Sequence, residues 1–164
     1  MKLLSKLPTL ALLAFLTFSC STDSIDDNVS AITADLVVPQ AKTIEIEILE
    51  LINNHRLSSG LSPLKNMDVI KSQAYSHTDY MVDNDVVSHD NFYQRKNYLM
   101  NTAGAKAVSE NVAYGFTSAQ SVVNAWLNSE GHKDNIEGNF TNFDISAEQN
   151  AEGKWYYTNI FIKK

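Results

Sequence analysis

The chain has 164 residues with a single cysteine, 13 basic and 19 acidic side chains, and a formal net charge of −6. A balance this acidic argues against nucleic acid and anionic membrane surfaces as partners, and one thiol excludes an internal disulfide framework. The length suits one domain with a single core behind a leader.

Residues 1–19 carry Lys2 and Lys6, then an apolar run from Leu7 to Phe18 interrupted by Pro8, Thr9 and Thr17, and end at Ser19. A spanning helix needs ~20 apolar residues, so this run reads as a cleaved secretory signal. Cys20 follows the small Ser19, where a bacterial lipoprotein signal places its lipidated thiol. Thr17-Phe18-Ser19-Cys20 resembles that box with Thr17 in place of the usual Leu; the alternative is a free or intermolecular thiol. Loss of Lys2 and Lys6 with the leader leaves 11 basic against 19 acidic side chains. Residues 20–40, with Asp23, Asp26, Asp27 and Asp35 and no period, read as an acidic tether from lipidated Cys20. The expected location is the cell envelope, with the lipid as the membrane link and a surface-exposed domain.

Residues 41–164 then form one domain, expected as a monomer. From Lys42 to Leu57, Ile44, Ile48, Leu51 and Ile52 recur at helical spacing with Glu45, Glu47 and Glu50 between them. Ser58-Ser59-Gly60 ends that helix, and Leu61 to Leu64 is a short extended connection. Met67 to Asp83 repeats the helical pattern, with Ile70, Ala74, His77 and Met81 on one stripe. A histidine on an apolar stripe is read as a satisfied core residue, whereas His55, near a polar helix end, is read as solvated. Val86 to Asp90 breaks the period, Asn91 to Asn101 is a short helix, and Thr102 to Lys106 loops around Gly104.

Val108 to Tyr114 approaches strand alternation around Glu110, a carboxylate that would go under only with a partner. Thr117 and Gln120 form an expected capping box for a helix carrying Val122, Val123, Trp126 and Leu127, with Gly131 as its stop and His132 on the turn beyond. Phe143–Ala147 and Lys154–Ile162 alternate at period two around Gln149–Gly153, which predicts a hairpin. Its second strand turns Trp155, Tyr157, Asn159 and Phe161 to one face and Tyr156, Thr158, Ile160 and Ile162 to the other. Both faces are apolar, so both need covering, which gives a three-layer α-β-α sandwich of the α+β class.

The densest chemistry runs from Ser109 to Asn135, and His89 stands upstream of it. We read His89, Glu110 and His132 as walls of one cleft. In order, Leu51-Ile52-Asn53, Gly60 to Leu64, Ala74 with His77 and Asp79-Tyr80-Met81, Ser88-His89, Glu110-Asn111-Val112-Ala113, Trp126-Leu127-Asn128-Ser129, Gly131-His132, Asn135-Ile136 and Tyr156 to Phe161 resemble the bacterial branch of the CAP superfamily. These are the SCP-like domains related to cysteine-rich secretory proteins, antigen 5 and plant pathogenesis-related proteins. The resemblance implies the same sandwich and a central cleft with a tetrad of two histidines and two acidic residues that in several members holds a divalent metal. By position His89 and His132 resemble the histidines and Glu110 the acid of the Gly-Glu-Asn motif. Ser109 replaces the Gly, and Ser129 stands at the second acidic position with Glu130 beside it. The expected cleft therefore comprises His89, Glu110, Asn111, Ser129, Glu130 and His132.

Two neutral imidazoles and a carboxylate with open positions suit zinc or another divalent cation, with His89 and His132, and potentially Glu110, as ligands. The alternative is a metal-free hydrogen-bonded cluster. Three functions fit: a non-catalytic domain binding a lipid, sterol, glycan or peptide, with Tyr80, Tyr93, Tyr114 and Trp126 as candidate aromatic walls; a metal-assisted hydrolase with Glu110 and His132 as catalytic candidates; and an adhesive protein with a vestigial cleft. The first is preferred. Trp126, Trp155 and Tyr157 are read chiefly as core.

Overall fold

The computed structural model describes residues 36–164. The signal segment, Cys20 and the tether as far as residue 35 lie outside the described residues. The elements in order are α1 (Thr43–Ser58), α2 (Asp68–Asp83), α3 (Phe92–Ala103), β1 (Ala107–Tyr114), α4 (Ala119–Leu127), α5 (Glu130–Glu137), β2 (Asn142–Gln149) and β3 (Trp155–Lys163).

The alternating apolar residues of β2 and β3 pair as the expected antiparallel hairpin, and β1 adds antiparallel to the far side of β3, giving the order β1-β3-β2. Because side chains alternate across a strand, β3 supplies two cores. On one face Tyr157 and Phe161 join Phe143, Ile145 and Ala147 of β2 against Ile48 and Ile52 of α1, Val122, Val123 and Trp126 of α4 and Ile136 of α5. On the other, Ile160 and Ile162 pack with Ile70 and Ala74 of α2 and Leu99 and Ala103 of α3. The sandwich thus has α1, α4 and α5 on one side of the sheet and α2 and α3 on the other.

Two local expectations need correction. The capping box before α4 sits one residue later than Thr117–Gln120: Ser118 is the N-cap, and its Oγ accepts from the Ser121 amide at 3.2 Å. The Trp126 helix stops at Leu127, not at Gly131, and Gly131 and His132 fall in the first turn of the separate helix α5. The break arises because Ser129 takes an extended backbone (φ −109°, ψ 117°), which Ser adopts readily as an N-cap. At the end of α3, Gly104 has φ +67°, a left-handed stop that glycine takes without steric cost.

Register places the site. Glu110 of β1 and Asp144 of β2 both stand opposite Ile160, whereas Asn111 and Ile145 stand opposite Asn159. Glu110 therefore faces α2 and α3, and its neighbour Asn111 faces α5. Because β1 is an edge strand, the two layers meet over it.

Candidate functional site around Glu110

Glu110 is 5% exposed, and a carboxylate so buried needs charged or hydrogen-bonding partners. It finds them on α3 and on the loop before it. Arg95 grips both oxygens, Nε donating to Oε2 at 2.9 Å and Nη2 to Oε1 at 2.8 Å. His89 Nδ1 donates to Oε1 at 2.9 Å. Arg95 also donates from Nη1 to the Asp90 carbonyl at 2.7 Å, fixing the loop that carries His89. That loop closes tightly, with the Phe92 amide bonded to the His89 carbonyl and Asn91 at φ +59°, a left-handed conformation that Asn tolerates better than most residues.

Burial alone would raise the Glu110 carboxyl, but the hydrogen bond from His89 and the Arg95 guanidinium outweigh it and hold the group below the usual carboxylate range. His77 lies behind, 2% exposed, with Nε2 3.9 Å from Glu110 Oε1. It donates from Nε2 to the Ser88 carbonyl at 2.8 Å, so it is a core histidine as expected but only half satisfied, because its Nδ1 is buried without a partner. Burial, followed by the Arg95 charge, lowers its pKa.

From the α5 side, Asn111 Nδ2 donates to the His132 carbonyl at 3.0 Å, and Asn135 Nδ2 donates to Asn111 Oδ1 at 2.8 Å. The first turn of α5 is thereby sewn to β1. His132 Nδ1 bonds Ser129 Oγ at 2.8 Å. Burial, then the nearby charge of His89, lowers the His132 pKa. His89, Glu110, Asn111, Ser129 and His132 thus gather along one stretch of β1. Glu130 is exposed on the first turn of α5, and Ser129 is the residue bonded to the imidazole. A hollow of about 280 Å³ opens here, lined by His89, Phe92, Val108, Ser109, Glu110 and Asn135.

The expected aromatic walls lie elsewhere. Trp126 is buried in the core, donating from Nε1 to the Val112 carbonyl at 3.0 Å. Tyr93 and Tyr114 are exposed, and Tyr80 lines a different hollow between α2 and α3. Phe92 and Val108 supply the apolar wall instead. His55 is not simply solvated: its Nε2 meets Glu137 Oε1 at 2.8 Å.

Arg95 has no part in the expected site, yet it decides the site's chemistry. Its signal in the sequence is a cation at the head of the buried stripe Arg95, Leu99 and Ala103, since an arginine on an apolar stripe requires a buried acceptor. It also bears on a metal. A zinc site that works on a substrate has three protein donors, but Glu110 is buried, with Oε1 accepting from both Arg95 and His89 and Oε2 paired to the Arg95 guanidinium. Among the described residues no three His, Cys, Asp or Glu side chains come together as a metal-ion ligand set. The donors do not fit the three-ligand centre; what remains is a pair of imidazoles whose Nδ1 atoms are held by Glu110 and Ser129.

The fold, a three-stranded sheet between helical layers with histidines from two layers meeting over an edge strand, defines a class, and the comparisons agree with it. The profile of the cysteine-rich secretory protein (CAP) family matches residues 49–161, and the chain belongs to that family. It is 32% identical over 124 residues to the YkwD protein of Bacillus subtilis, covering 73% of this chain and 47% of that protein. It is 30% identical over 126 residues to the B. subtilis membrane protein YlbC, covering 74% of this chain and 35% of the other. The chain therefore spans less than half the length of either curated relative. Among solved structures, an extracellular SCP-domain protein of Bacillus anthracis superposes with a TM-score of 0.63 at 28% identity, covering 73% of this chain and 40% of that one. An outer surface protein of Borrelia burgdorferi superposes with a TM-score of 0.65 at 21% identity, covering 71% and 90%, a likeness of fold.

Proposed function

We propose that this is an extracellular binding domain of the bacterial cell envelope, tethered through a lipid on Cys20, whose cleft at β1 takes a small ligand and performs no hydrolysis. The observation that carries this reading is the state of Glu110. A general base must reach a substrate proton and hold it, whereas Glu110 is 5% exposed, already accepts three N–H bonds from Arg95 and His89 and is held below the usual carboxylate range. It acts as a strut that sets the Nδ1–H tautomer and the orientation of His89.

The ligand-facing groups are then the half-exposed imidazole of His89, with Phe92 and Val108 as a short apolar wall, and His132 flanks the hollow from α5. A hollow of about 280 Å³ is smaller than the range for drug-sized ligands. It suits a peptide terminus or side chain better than a sterol or an acyl chain. The extracellular placement is supported by the leader-like pattern of residues 1–19 and by the extracellular B. anthracis relative.

The test is native mass spectrometry of the full chain against a mixture of short peptides, a fatty acid and a sterol. Peptide is retained by the wild type and lost from a His89→Ala/His132→Ala variant that melts at an unchanged temperature. Retention of the sterol or fatty acid, or equal peptide retention by both proteins, overturns the reading.

A further inference from the structure

Helices that pack through apolar ridges close the groove between them. The facing stripes of α2 and α3 are built otherwise. Gln73, Ser76, His77 and Tyr80 follow an i, i+3, i+4, i+7 spacing and so share one face of α2; Asn91, Gln94, Arg95 and Tyr98 repeat that spacing from the N-cap of α3. These eight residues line a hollow of about 360 Å³. It has no lining residue in common with the cleft at β1. The Glu110–Arg95 ion pair stands between them, Arg95 in the wall of one and Glu110 in the wall of the other.

The lining selects a ligand class. It contains no carboxylate, so nothing in it attracts a cation, and the charge of Arg95 is already met by Glu110. Two of its polar groups have unused capacity. His77 donates from Nε2 to Ser88, so Nδ1 holds a lone pair, and that atom is buried without a partner. Arg95 makes three hydrogen bonds from five N–H donors. Around these stand three side-chain amides, a hydroxyl and two phenol rings. Tyr80 stacks over His77 with ring centroids 5.9 Å apart, and its hydroxyl is tied by an exposed bond to Asp90.

We propose that the α2–α3 hollow is a saccharide subsite for a neutral, N-acetylated hexose. The rings of Tyr80 and Tyr98 meet the apolar face of the sugar, the amides of Gln73, Asn91 and Gln94 and the hydroxyl of Ser76 meet its hydroxyls, and a spare Arg95 N–H donates to the acetamido carbonyl. The subsite is independent of the ligand proposed for the cleft at β1.

The test is an amide-resolved NMR titration of the full chain with triacetylchitotriose. Saturable shifts are expected at Gln73, His77, Gln94 and Tyr98. Tyr98→Ala is expected to weaken binding about tenfold, the loss of one stacking or hydrogen-bonding contact, while Tyr98→Phe binds as the wild type does. Should Tyr98→Ala fail to fold, Gln94→Ala, exposed and on the same stripe, serves in its place with the same expected direction. No saturable shift, shifts confined to the cleft at β1, or undiminished binding by the folded Tyr98→Ala or Gln94→Ala variant overturns the proposal.

Discussion

Two buried carboxylates, each gripped by a buried cation, sit in this domain and do different things. Glu45 of α1 is fully buried; its Oε2 meets Lys71 Nζ at 2.7 Å and its Oε1 accepts from the Ala147 amide at 2.8 Å. Lys71 also donates to the Ile145 carbonyl at 2.7 Å. The partners of this pair are largely main chain, so it works as a staple joining α1, α2 and β2. Glu110 is gripped as firmly by Arg95, but one of its oxygens also holds His89, whose side chain is 52% exposed. A buried pair closed by backbone is structural, whereas one that continues through an imidazole to solvent can orient a group that meets a ligand.

Breaking the staple should cost most. Lys71→Met leaves Glu45 buried with only the longer Lys42 ion pair at 3.9 Å, and urea unfolding should register a loss of about 3–5 kcal/mol, with no recovery on adding zinc. Arg95→Leu should cost somewhat less, about 3 kcal/mol, because the cleft lets water reach the freed carboxylate. It also returns Glu110 to the two imidazoles as a third donor. Zinc is therefore expected to raise the melting temperature of Arg95→Leu and leave wild type and Lys71→Met unmoved; a wild type that binds zinc stoichiometrically would sink the account of Glu110 as a strut.

Glu110 and Asp144, on the same face beside Ile160, should pull stability in opposite directions with pH. Glu110 is lowered from 4.5, so its contribution is present above that pH and lost as pH falls through its folded value. Asp144 is raised from 3.8 to about 6 by burial, which outweighs the hydrogen bonds of the Ile145 and Met67 amides. Its contribution is full below pH 3.8 and lost as pH rises through about 6, a change of about 3 kcal/mol by linkage. Asp144→Asn should remove that loss, so that unfolding free energy measured from pH 4 to 6 rises more steeply than in wild type. The smallest change in stability belongs to His89→Ala. With Arg95 still on Glu110 and the imidazole half in solvent, it should shift stability by less than about 1 kcal/mol while abolishing peptide retention by the cleft.

Much of the fold was legible in the residues themselves. Period-two alternation in Trp155 to Ile162, apolar on both faces, requires a sheet covered on two sides, and helical stripes in α1, α2 and α4 supply the covers. These are local signals, and the order of motifs around them marks the family. The mistakes at α4 and α5 were also local: Ser118 competes with Thr117 for the cap, and an extended Ser129 splits one apparent helix into two. The candidate site was legible as a set of residue types but not as a circuit.

What the order of motifs along the chain implied, through its resemblance to the family, is that His89, Glu110, Asn111 and His132 belong near one strand. What only the tertiary structure decided is what each is bonded to. Arg95 lies 15 residues before Glu110 in the chain and reaches it because α3 packs across the face of β1 to which the register turns Glu110. That contact makes the carboxylate a strut and leaves the His89 imidazole as the part that reaches solvent. Its physical cause is the cost of an unpaired buried charge, which is met by whichever cation the packing brings within reach.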